Sequence, residues 1–327
     1  TGYSNTGQDT TGLNRIYAQI TGTTPLEWDI PMLYFYRYTT SGQLERSKSH
    51  FGSLTFPFDD GSDQLTVTAA QSNTESDITG PFGNEGRFTQ ATIEYTSSFA
   101  GKYQAGLGYE WKETDNDVLF GGENVFNSTI QIHQFNAKLR GRNSGFADTM
   151  HDWGLEFVYS PGGLTDKNSD TSFDNSRAGL ESEYWILKGD YELTLPITKQ
   201  TQFSTYFEGQ VTPDLVPSSE QIGLAGFYRV RGFEEFEQSA DSGYYVRSAL
   251  EHRTKMSGVD VIPYLFGDTG GGEEADSDYS LSSLGLGVRL EYDNIQGELS
   301  FGQVVQSDGF TRADSDNRFN VSVDIRY

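Results

Sequence analysis

The sequence predicts an all-β protein, a sixteen-stranded antiparallel β-barrel that spans a membrane. Three observations support this: apolar and polar residues alternate with a period of two, Tyr, Phe and Gly are abundant, and no apolar run approaches the roughly 20 residues of a membrane helix. The final segment is the clearest case, because Phe319, Val321 and Val323 alternate with polar residues. One face is apolar and the other polar, as a strand between lipid and water requires.

The composition argues against the two soluble domains that 327 residues would otherwise suggest. Hydrophobic residues make up only 35%, whereas the chain holds 19 Tyr, 22 Phe and 37 Gly. The 47 acidic residues exceed the 23 basic ones, and the charge of −24 disfavours nucleic acid as a partner, since phosphate binding requires clustered Lys and Arg. The 14% of aromatic residues is too high for a disordered acidic chain, and the absence of Cys excludes disulfides and thiolate sites.

Sixteen segments carry the alternation, an even number as in bacterial outer-membrane barrels, and most have about the ten residues that a tilted strand needs. They are 13–21, 29–40, 46–57, 64–74, 87–99, 102–114, 129–140, 150–160, 181–195, 200–212, 219–227, 242–254, 259–267, 280–293, 295–306 and 317–327. Aromatic residues that suit the membrane interface gather near strand ends: Trp28, Tyr34, Tyr36, Tyr38, Trp111, Trp153, Tyr184 and Trp185. The alternative is a soluble β-sandwich or propeller, which would rarely end on an apolar strand with a terminal aromatic residue.

No linker, composition break or low-complexity tract divides the chain, so residues 1–327 are expected to form one barrel domain. An even strand count places both ends of the barrel in the periplasm, with the long connections 227–241, 268–279 and 307–316 facing outward. The connections 115–128 and 161–180 then fall on the periplasmic side, where turns should be short. Either a strand is misassigned in the middle of the chain or those two turns are unusually long.

The most specific motifs lie in the last third of the chain. Val230-Arg231-Gly232-Phe233 stands in a long connection, Ala240-Asp241-Ser242-Gly243 stands where the next strand begins, and the sequence PYLFGDTG occupies 263–270. These segments resemble the barrel of two-partner secretion transporters, the TpsB branch of the superfamily that also contains BamA. In that family a VRG-F/Y loop precedes a GD-x-G element and a pyxFxDxG strand. Here Ala225 replaces the first Gly of a usual pair, and a further match lies between Thr6 and Arg15.

The resemblance implies that the connection holding Val230, Arg231, Gly232 and Phe233 is the sixth extracellular loop, folded into the barrel lumen between the eleventh and twelfth strands. It also implies that Arg231 pairs with Asp268 on the inner wall, at the end of the thirteenth strand, beside Phe266 and Gly270. A guanidinium fork and a carboxylate can pair bidentately. Gly232 would allow a conformation closed to other residues or a close approach to the wall, and Phe233 would add an apolar contact. By spacing alone, Arg231 could equally be a solvated loop arginine and Asp268 a turn residue.

The function implied by the resemblance is the export of an unfolded, secreted partner protein across the bacterial outer membrane without ATP. Family members carry periplasmic POTRA domains before the barrel, and these are expected upstream of, and absent from, this chain; the gene of the partner usually lies adjacent. The other expected partners are outer-membrane lipid, lipopolysaccharide and the barrel assembly machinery, which would read the strand ending in Tyr327. Two hypotheses of other classes stay open: a barrel that anchors or translocates a fused N-terminal passenger, such as a patatin-like enzyme, and a passive porin.

No catalytic residue, cofactor or metal site is predicted, and we do not expect an enzyme. The four His residues lack metal-ligand spacing, and no G-x-S-x-G, P-loop or H-E-x-x-H motif occurs. The acidic clusters Glu234-Glu235-Glu237 and Asp276/Asp278 could bind calcium or bridge lipopolysaccharide. Because neither matches the ordered ligand pattern of a calcium loop, solvated loop charge is the preferred interpretation.

Overall fold

The computed structural model describes residues 1–8, 11–24, 30–41, 44–58, 61–77, 82–145, 148–309 and 317–327, so Trp28 and most of the connection 307–316 lie outside the described residues. Sixteen antiparallel strands form a closed barrel, which confirms the predicted fold class and excludes the sandwich and the propeller. Among the described residues, no helix is both long enough and apolar enough to cross a membrane, a finding that concerns helices only.

The barrel strands are numbered β1 to β16 in chain order. They are β1 Gly2–Ser4, β2 Asn14–Thr23, β3 Pro31–Ser41, β4 Leu44–Phe58, β5 Asp63–Asp77, β6 Phe82–Phe99, β7 Tyr103–Phe120, β8 Glu123–Ser144, β9 Met150–Pro161, β10 Glu183–Pro196, β11 Thr201–Val211, β12 Ser242–His252, β13 Val259–Glu274, β14 Ser277–Tyr292, β15 Ile295–Asp308 and β16 Asn317–Ile325. One helix, α1 (Asp170–Ser176), lies between β9 and β10, and the short strand Thr254–Met256 pairs with the start of β13.

The strand count of sixteen is confirmed, but the predicted strand 219–227 is wrong. Within it only Ile222–Gly223 is extended, and it pairs with Ser239–Ala240 in a two-residue ribbon inside the long loop. The count nevertheless stays at sixteen because of β1, a strand that was not predicted. It lies between β16 and β2 and pairs with both. Three residues are too few to produce an alternation signal, so the sequence did not reveal it.

This exchange of one strand for another removes the conflict over the connections. The connections 162–182 and 212–241 now leave the barrel at the same end, which we take as extracellular because the long loops of outer-membrane barrels face outward. The predicted connection 115–128 is wrong, since β7 and β8 continue through it to a turn at Gly121 and Gly122. The polar residues of 115–128 suggested a loop. A strand that extends beyond the lipid needs no apolar face, so it lacks the alternation by which strands are recognised.

Cross-strand register separates the two faces of the wall. Leu265, Leu286, Phe301 and Phe319 stand in one row across β13 to β16, and all four side chains are exposed on the outer surface. The alternate residues point into the lumen, and there the buried side chains collect in three clusters. The prediction that Tyr184 lies at the membrane interface is wrong. Its side chain occupies a lumen-facing position of β10 and is only 1% exposed.

Candidate functional site: the lumen loop

The connection 212–241, here called the lumen loop, is packed inside the barrel. Val216, Leu224 and Val230 are fully buried, and Phe233 is 1% exposed. Near its tip the chain reverses tightly, with the Val230 amide donating to the Leu224 carbonyl oxygen at 3.1 Å. The four motif residues 230–233 follow this reversal and face β13, β14 and β15. The loop therefore presents its motif to the wall rather than to solvent.

Arg231 and Asp268 are brought together at this wall. Nε of Arg231 lies 2.6 Å from one carboxylate oxygen of Asp268, Nη2 lies 2.7 Å from the other, and the Arg231 amide donates to the first at 3.1 Å. Both residues are buried, at 5% and 4% exposure. The carboxylate thus accepts three hydrogen bonds from one residue, and both the side chain and the backbone of the loop tip are fixed. Asp268 does not end its strand, because β13 continues through the glycines 270–272 to Glu274, and the predicted connection 268–279 is wrong.

Phe266 supplies the surface on which the guanidinium lies. The Arg231 Cζ is 3.7 Å from the centre of the Phe266 ring, a distance at which a cation and an aromatic face attract. The ring lies over Gly285 of the next strand, where a Cβ would come within 2.2 Å of a ring atom. The absence of a side chain at Gly285 therefore permits the position of Phe266, and through it the position of Arg231.

Gly232 and Gly302 allow the two backbones to touch. Gly232 has a φ of +94°, and a Cβ on Gly302 of β15 would lie 2.9 Å from the Gly232 Cα. At Gly270, a Cβ would lie 3.1 Å from a methyl group of Val230. Phe233 packs beside these contacts in the cluster with Leu281 and Tyr245. Gly302 was missed from sequence, and the only available signal was a glycine at a lumen-facing position of a strand.

The acidic residues that follow the motif were interpreted as solvated loop charge. This interpretation is wrong, because they form contacts inside the barrel. Glu235 is 3% exposed, forms an ion pair with Arg229 and accepts the Phe227 amide at 3.1 Å. Glu234 pairs with Arg318 of β16 at 3.0 Å. The Glu235 contacts stiffen the loop tip itself, and the Glu234–Arg318 pair holds it to the wall beyond Asp268. No group of three or more metal-ligating side chains exists among the described residues.

A second ion pair joins the lumen loop to the connection 162–182, here called the helix loop. Arg177, which follows α1, donates from Nη1 and Nη2 to the two carboxylate oxygens of Asp241, each at 2.7 Å. Nη1 also donates to the Val216 carbonyl oxygen at 2.7 Å. Burial acts to raise the pKa of Asp241, but hydrogen bonds from Arg177 and the Val216 amide outweigh it and lower that pKa. Arg177 was missed because nothing in its neighbourhood distinguishes it from other loop arginines.

Glu220 anchors the first half of the lumen loop to the opposite wall. Its carboxylate lies 2.7 Å from Nζ of Lys112 on β7, and its carbonyl oxygen accepts from Gln210 at 2.8 Å. Burial would raise the pKa of Glu220, but the charges of Lys112 and Lys188 outweigh burial and lower it to about 2. Glu220 therefore carries its charge at any physiological pH.

An apolar cluster connects the two loops above this wall. Phe173 of α1 is fully buried against Ile132, Ile186 and Val216, the last of which belongs to the lumen loop. Ser169 caps α1 by accepting from the Ser172 amide at 3.5 Å. The helix loop and the lumen loop thus share one buried core inside the barrel.

Comparison with known proteins shows the family of this chain. The family model described as haemolysin secretion/activation protein ShlB/FhaC/HecB matches residues 1–290. The chain is 26% identical to the hemolysin transporter protein HpmB of Proteus mirabilis over 109 residues, which are 32% of this chain and 19% of that protein. It is 32% identical to the hemolysin transporter protein ShlB of Serratia marcescens over 69 residues, 21% of this chain and 12% of that protein.

Solved structures agree on the fold. CdiB from Escherichia coli superposes with a TM-score of 0.84 at 16% identity, covering 99% of this chain and 61% of that chain. CdiB from Acinetobacter baumannii gives 0.73 at 16% identity, covering 100% and 59%. The chain thus spans less than two thirds of the length of these relatives. The resemblance to two-partner secretion transporters is confirmed: the chain belongs to the haemolysin secretion/activation protein family ShlB/FhaC/HecB and is a barrel of the bacterial outer membrane.

Proposed function

We propose that this barrel is the pore through which a secreted partner protein crosses the outer membrane. Family membership gives the class of function, and the relatives that match are named as hemolysin transporters. The observation that carries the proposal for this chain is the lumen loop. Its tip is held by the Arg231–Asp268 and Glu234–Arg318 ion pairs, by a hydrogen bond from Arg247 and by packing, so it can leave the wall without breaking a covalent bond.

The lumen below the loop tip suits a hydrated polypeptide. It opens into a cavity of about 520 Å³ next to Arg231, and the cavity is lined largely by polar and charged side chains, including Glu192, Arg247, Glu251 and Arg289. An unfolded chain exposes its backbone polar groups, which such a lining can hydrogen-bond in turn. The match to the haemolysin secretion/activation family and to hemolysin transporters is the reason that we favour the secretion pore over a passive porin.

We further propose the role of each motif residue. Arg231 would hold the closed position through Asp268 and Phe266, Gly232 and Gly270 would permit close contact with the wall, and Val230 and Phe233 would seal the tip by packing. Transport would proceed without ATP and without an enzymatic step, on an unfolded cargo. The barrel would form one domain over residues 1–327, with POTRA domains before it in the whole protein.

The remaining partners belong to the same proposal. The barrel assembly machinery would insert the strands, as the BamA-related superfamily implies, and outer-membrane lipid with lipopolysaccharide would surround the exposed apolar rows. Nucleic acid is not a proposed partner, because the net charge is −24. An esterase or other passenger fused before the barrel is distinguished by expressing the whole gene and assaying its product.

The test is a secretion assay with the protein encoded beside this gene. Removing one partner of a buried ion pair costs about 3–5 kcal/mol, so Arg231→Ala and Asp268→Ala are each expected to reduce secretion about tenfold or more while the barrel still inserts. Arg253→Ala is the matched control, because Arg253 forms an exposed pair with Glu291 at the periplasmic end of the barrel, far from the lumen loop. Full secretion by both lumen variants would contradict the role of the loop, and steady open conductance of the wild type in planar bilayers would favour a porin.

A further inference from the structure

The outer face of β4 to β7 changes from charged to apolar within a short distance. Register places the outward side chains in four successive rows, listed from the extracellular side: Lys48–Asn73–Arg87–Asp115, His50–Gln71–Thr89–Glu113, Gly52–Ala69–Ala91–Trp111 and Leu54–Val67–Ile93–Tyr109. Rows two residues apart along a strand are separated by about 6–7 Å. We call the first the charged row and the third the small-residue row; they are about 13 Å apart.

The small-residue row forms a groove in the wall. Gly52, Ala69 and Ala91 are shorter than the side chains around them, and the resulting depression of about 680 Å³ is bounded by Tyr34, Leu54 and Trp111, among others. The bulkier residues of the fourth row, such as Val67 and Ile93, are exposed on the same face. The groove therefore opens toward the surrounding lipid and is wide enough to take up acyl chains.

Basic groups stand at the extracellular end of the groove. Lys48 and Arg87 are exposed in the charged row. When the Gln71 amide is turned so that its oxygen faces the guanidinium, it accepts from Nη2 and Nε of Arg87 at 2.7 and 3.0 Å, which holds Arg87 toward the groove. An arginine so placed offers its remaining donors to an oxyanion, and phosphate fits the guanidinium fork.

Two carboxylates of this face, those of Asp115 and Glu113 on β7, bond toward β8 and the helix loop. Asp115 accepts from Thr129 at 2.6 Å, and Glu113 accepts from Gln131 at 2.7 Å and pairs with Lys167 at 3.3 Å. Within the charged row itself, the basic side chains stand on β4 and β6 and the carboxylate stands on β7. An anionic headgroup is favoured over Lys48 and Arg87, and Glu75 and Glu85, one row further out, limit how far it can extend along the wall.

We propose that this face binds a phosphorylated, multiply acylated glycolipid of the outer leaflet, of the lipid A class, with a phosphate on Lys48 and Arg87 and acyl chains in the groove. The inference rests on the outer-membrane location and on the orientation given by the long loops. Lipid A carries phosphate on a headgroup directly above several acyl chains, and the four rows present those features in the same order. A second barrel is a poorer occupant, because the upper two rows are charged or polar and would be desolvated in an apolar interface.

The test measures lipids retained by the purified, delipidated protein, using native mass spectrometry after incubation with equal amounts of lipid A and phosphatidylethanolamine. The wild type is expected to retain lipid A in preference. Lys48→Gln/Arg87→Gln is expected to weaken retention about tenfold or more, because it removes both charged hydrogen-bond donors from the phosphate. Ala69→Leu/Ala91→Leu, which fills the groove, should weaken it as well.

Two controls match these variants. Arg253→Gln/Lys255→Gln removes the same charge from exposed positions at the periplasmic end, and Ala137→Leu enlarges an outward alanine of β8 outside the groove; both should retain lipid A like the wild type. Dephosphorylated lipid A offered to the unmodified barrel should bind about tenfold more weakly, an arm that needs no variant. Equal retention of both lipids, unchanged retention by Lys48→Gln/Arg87→Gln, or a dimer that excludes lipid from this face would overturn the proposal. Because no cargo is involved, failure of the secretion proposal would leave these results unaffected.

Discussion

Arg177 and Asp241 form a bidentate ion pair, in which Nη1 and Nη2 of Arg177 each lie 2.7 Å from one of the two carboxylate oxygens. Arg177 belongs to the helix loop, whereas Asp241 is the last residue before β12. The same guanidinium binds the Val216 carbonyl oxygen, so one side chain holds the helix loop to the start and to the end of the lumen loop.

Arg177→Ala should destabilise this junction by about 2–3 kcal/mol, because it leaves the buried Asp241 carboxylate without its principal partner. The measurement is the urea midpoint of the refolded barrel, together with protease cleavage within residues 162–182. Lys167→Ala serves as the control, since Lys167 lies in the same loop and pairs with Glu113 of β7, but its side chain is 49% exposed. A change below about 0.5 kcal/mol is expected there. Equal effects of the two substitutions would contradict the junction.

Gly302→Ala should dislodge the loop tip, because the new methyl group would lie 2.9 Å from the Gly232 backbone, which cannot rotate away. Trypsin cleavage after Arg231 reports the displacement, since that bond is buried in the native loop. Gly297→Ala lies in the same strand and meets its nearest atom, a carbonyl oxygen, at 3.8 Å. Trypsin resistance is expected of Gly297→Ala, and the same resistance in Gly302→Ala would show that the two backbones need not touch.

Phe266→Leu should weaken, but not abolish, the hold on Arg231. The substitution removes the ring on which the guanidinium lies, an attraction of about 0.5–2 kcal/mol, and leaves Asp268 in place. Secretion is expected to fall between the wild-type level and that of Arg231→Ala. A loss as large as that of Arg231→Ala would mean that the ring, rather than the carboxylate, positions the loop.

Acidification should weaken the anchoring of the lumen loop through Glu220. Its pKa is about 2 in the folded protein against an ordinary value of 4.5. A carboxyl group with a lowered folded-state pKa stabilises the fold fully above the ordinary value, and this contribution disappears as pH falls from 4.5 to about 2. The loss is of the order of 3 kcal/mol.

Urea midpoints measured across that pH window test this expectation. Glu220→Gln should be less stable at neutral pH, because Lys112 loses its charged partner, but its stability should depend less on pH. Glu181→Gln, at an exposed position of the helix loop, should follow the wild-type curve. An identical pH dependence of Glu220→Gln and the wild type would exclude Glu220 as the titrating group.

The alternation of apolar and polar residues predicted the strands that have one face in lipid and one face in the lumen. Strands with one face in lipid, such as β14 and β16, appeared close to their observed bounds, and the motif at 230–233 was found together with its wall segment. Segments that are extended without an apolar face gave no such signal: β1 is three residues long, and the outer parts of β7, β8 and β13 carry polar residues or glycine. Conversely, 219–227 looked like a strand because Ile222, Leu224 and Phe227 are apolar for packing inside the lumen.

Ion pairs between distant segments could not be predicted from the sequence, for a different reason. The partners Arg177 and Asp241 lie 64 residues apart and share no periodic pattern. Lys112 and Glu220 lie 108 apart. Pairing of this kind depends on how the loops descend into the lumen, which the alternation of the strands does not encode.

The glycines that receive the loop tip have a consequence for the channel once the tip has left. At Gly270 and Gly302 themselves the uncovered wall offers only backbone, already hydrogen-bonded within the sheet. Beside them, the Asp268 carboxylate would lose its guanidinium partner and could accept hydrogen bonds from a passing basic residue. The recess that holds the closed loop would then combine a strip free of bulky side chains with one charged position for whatever polypeptide replaces the tip.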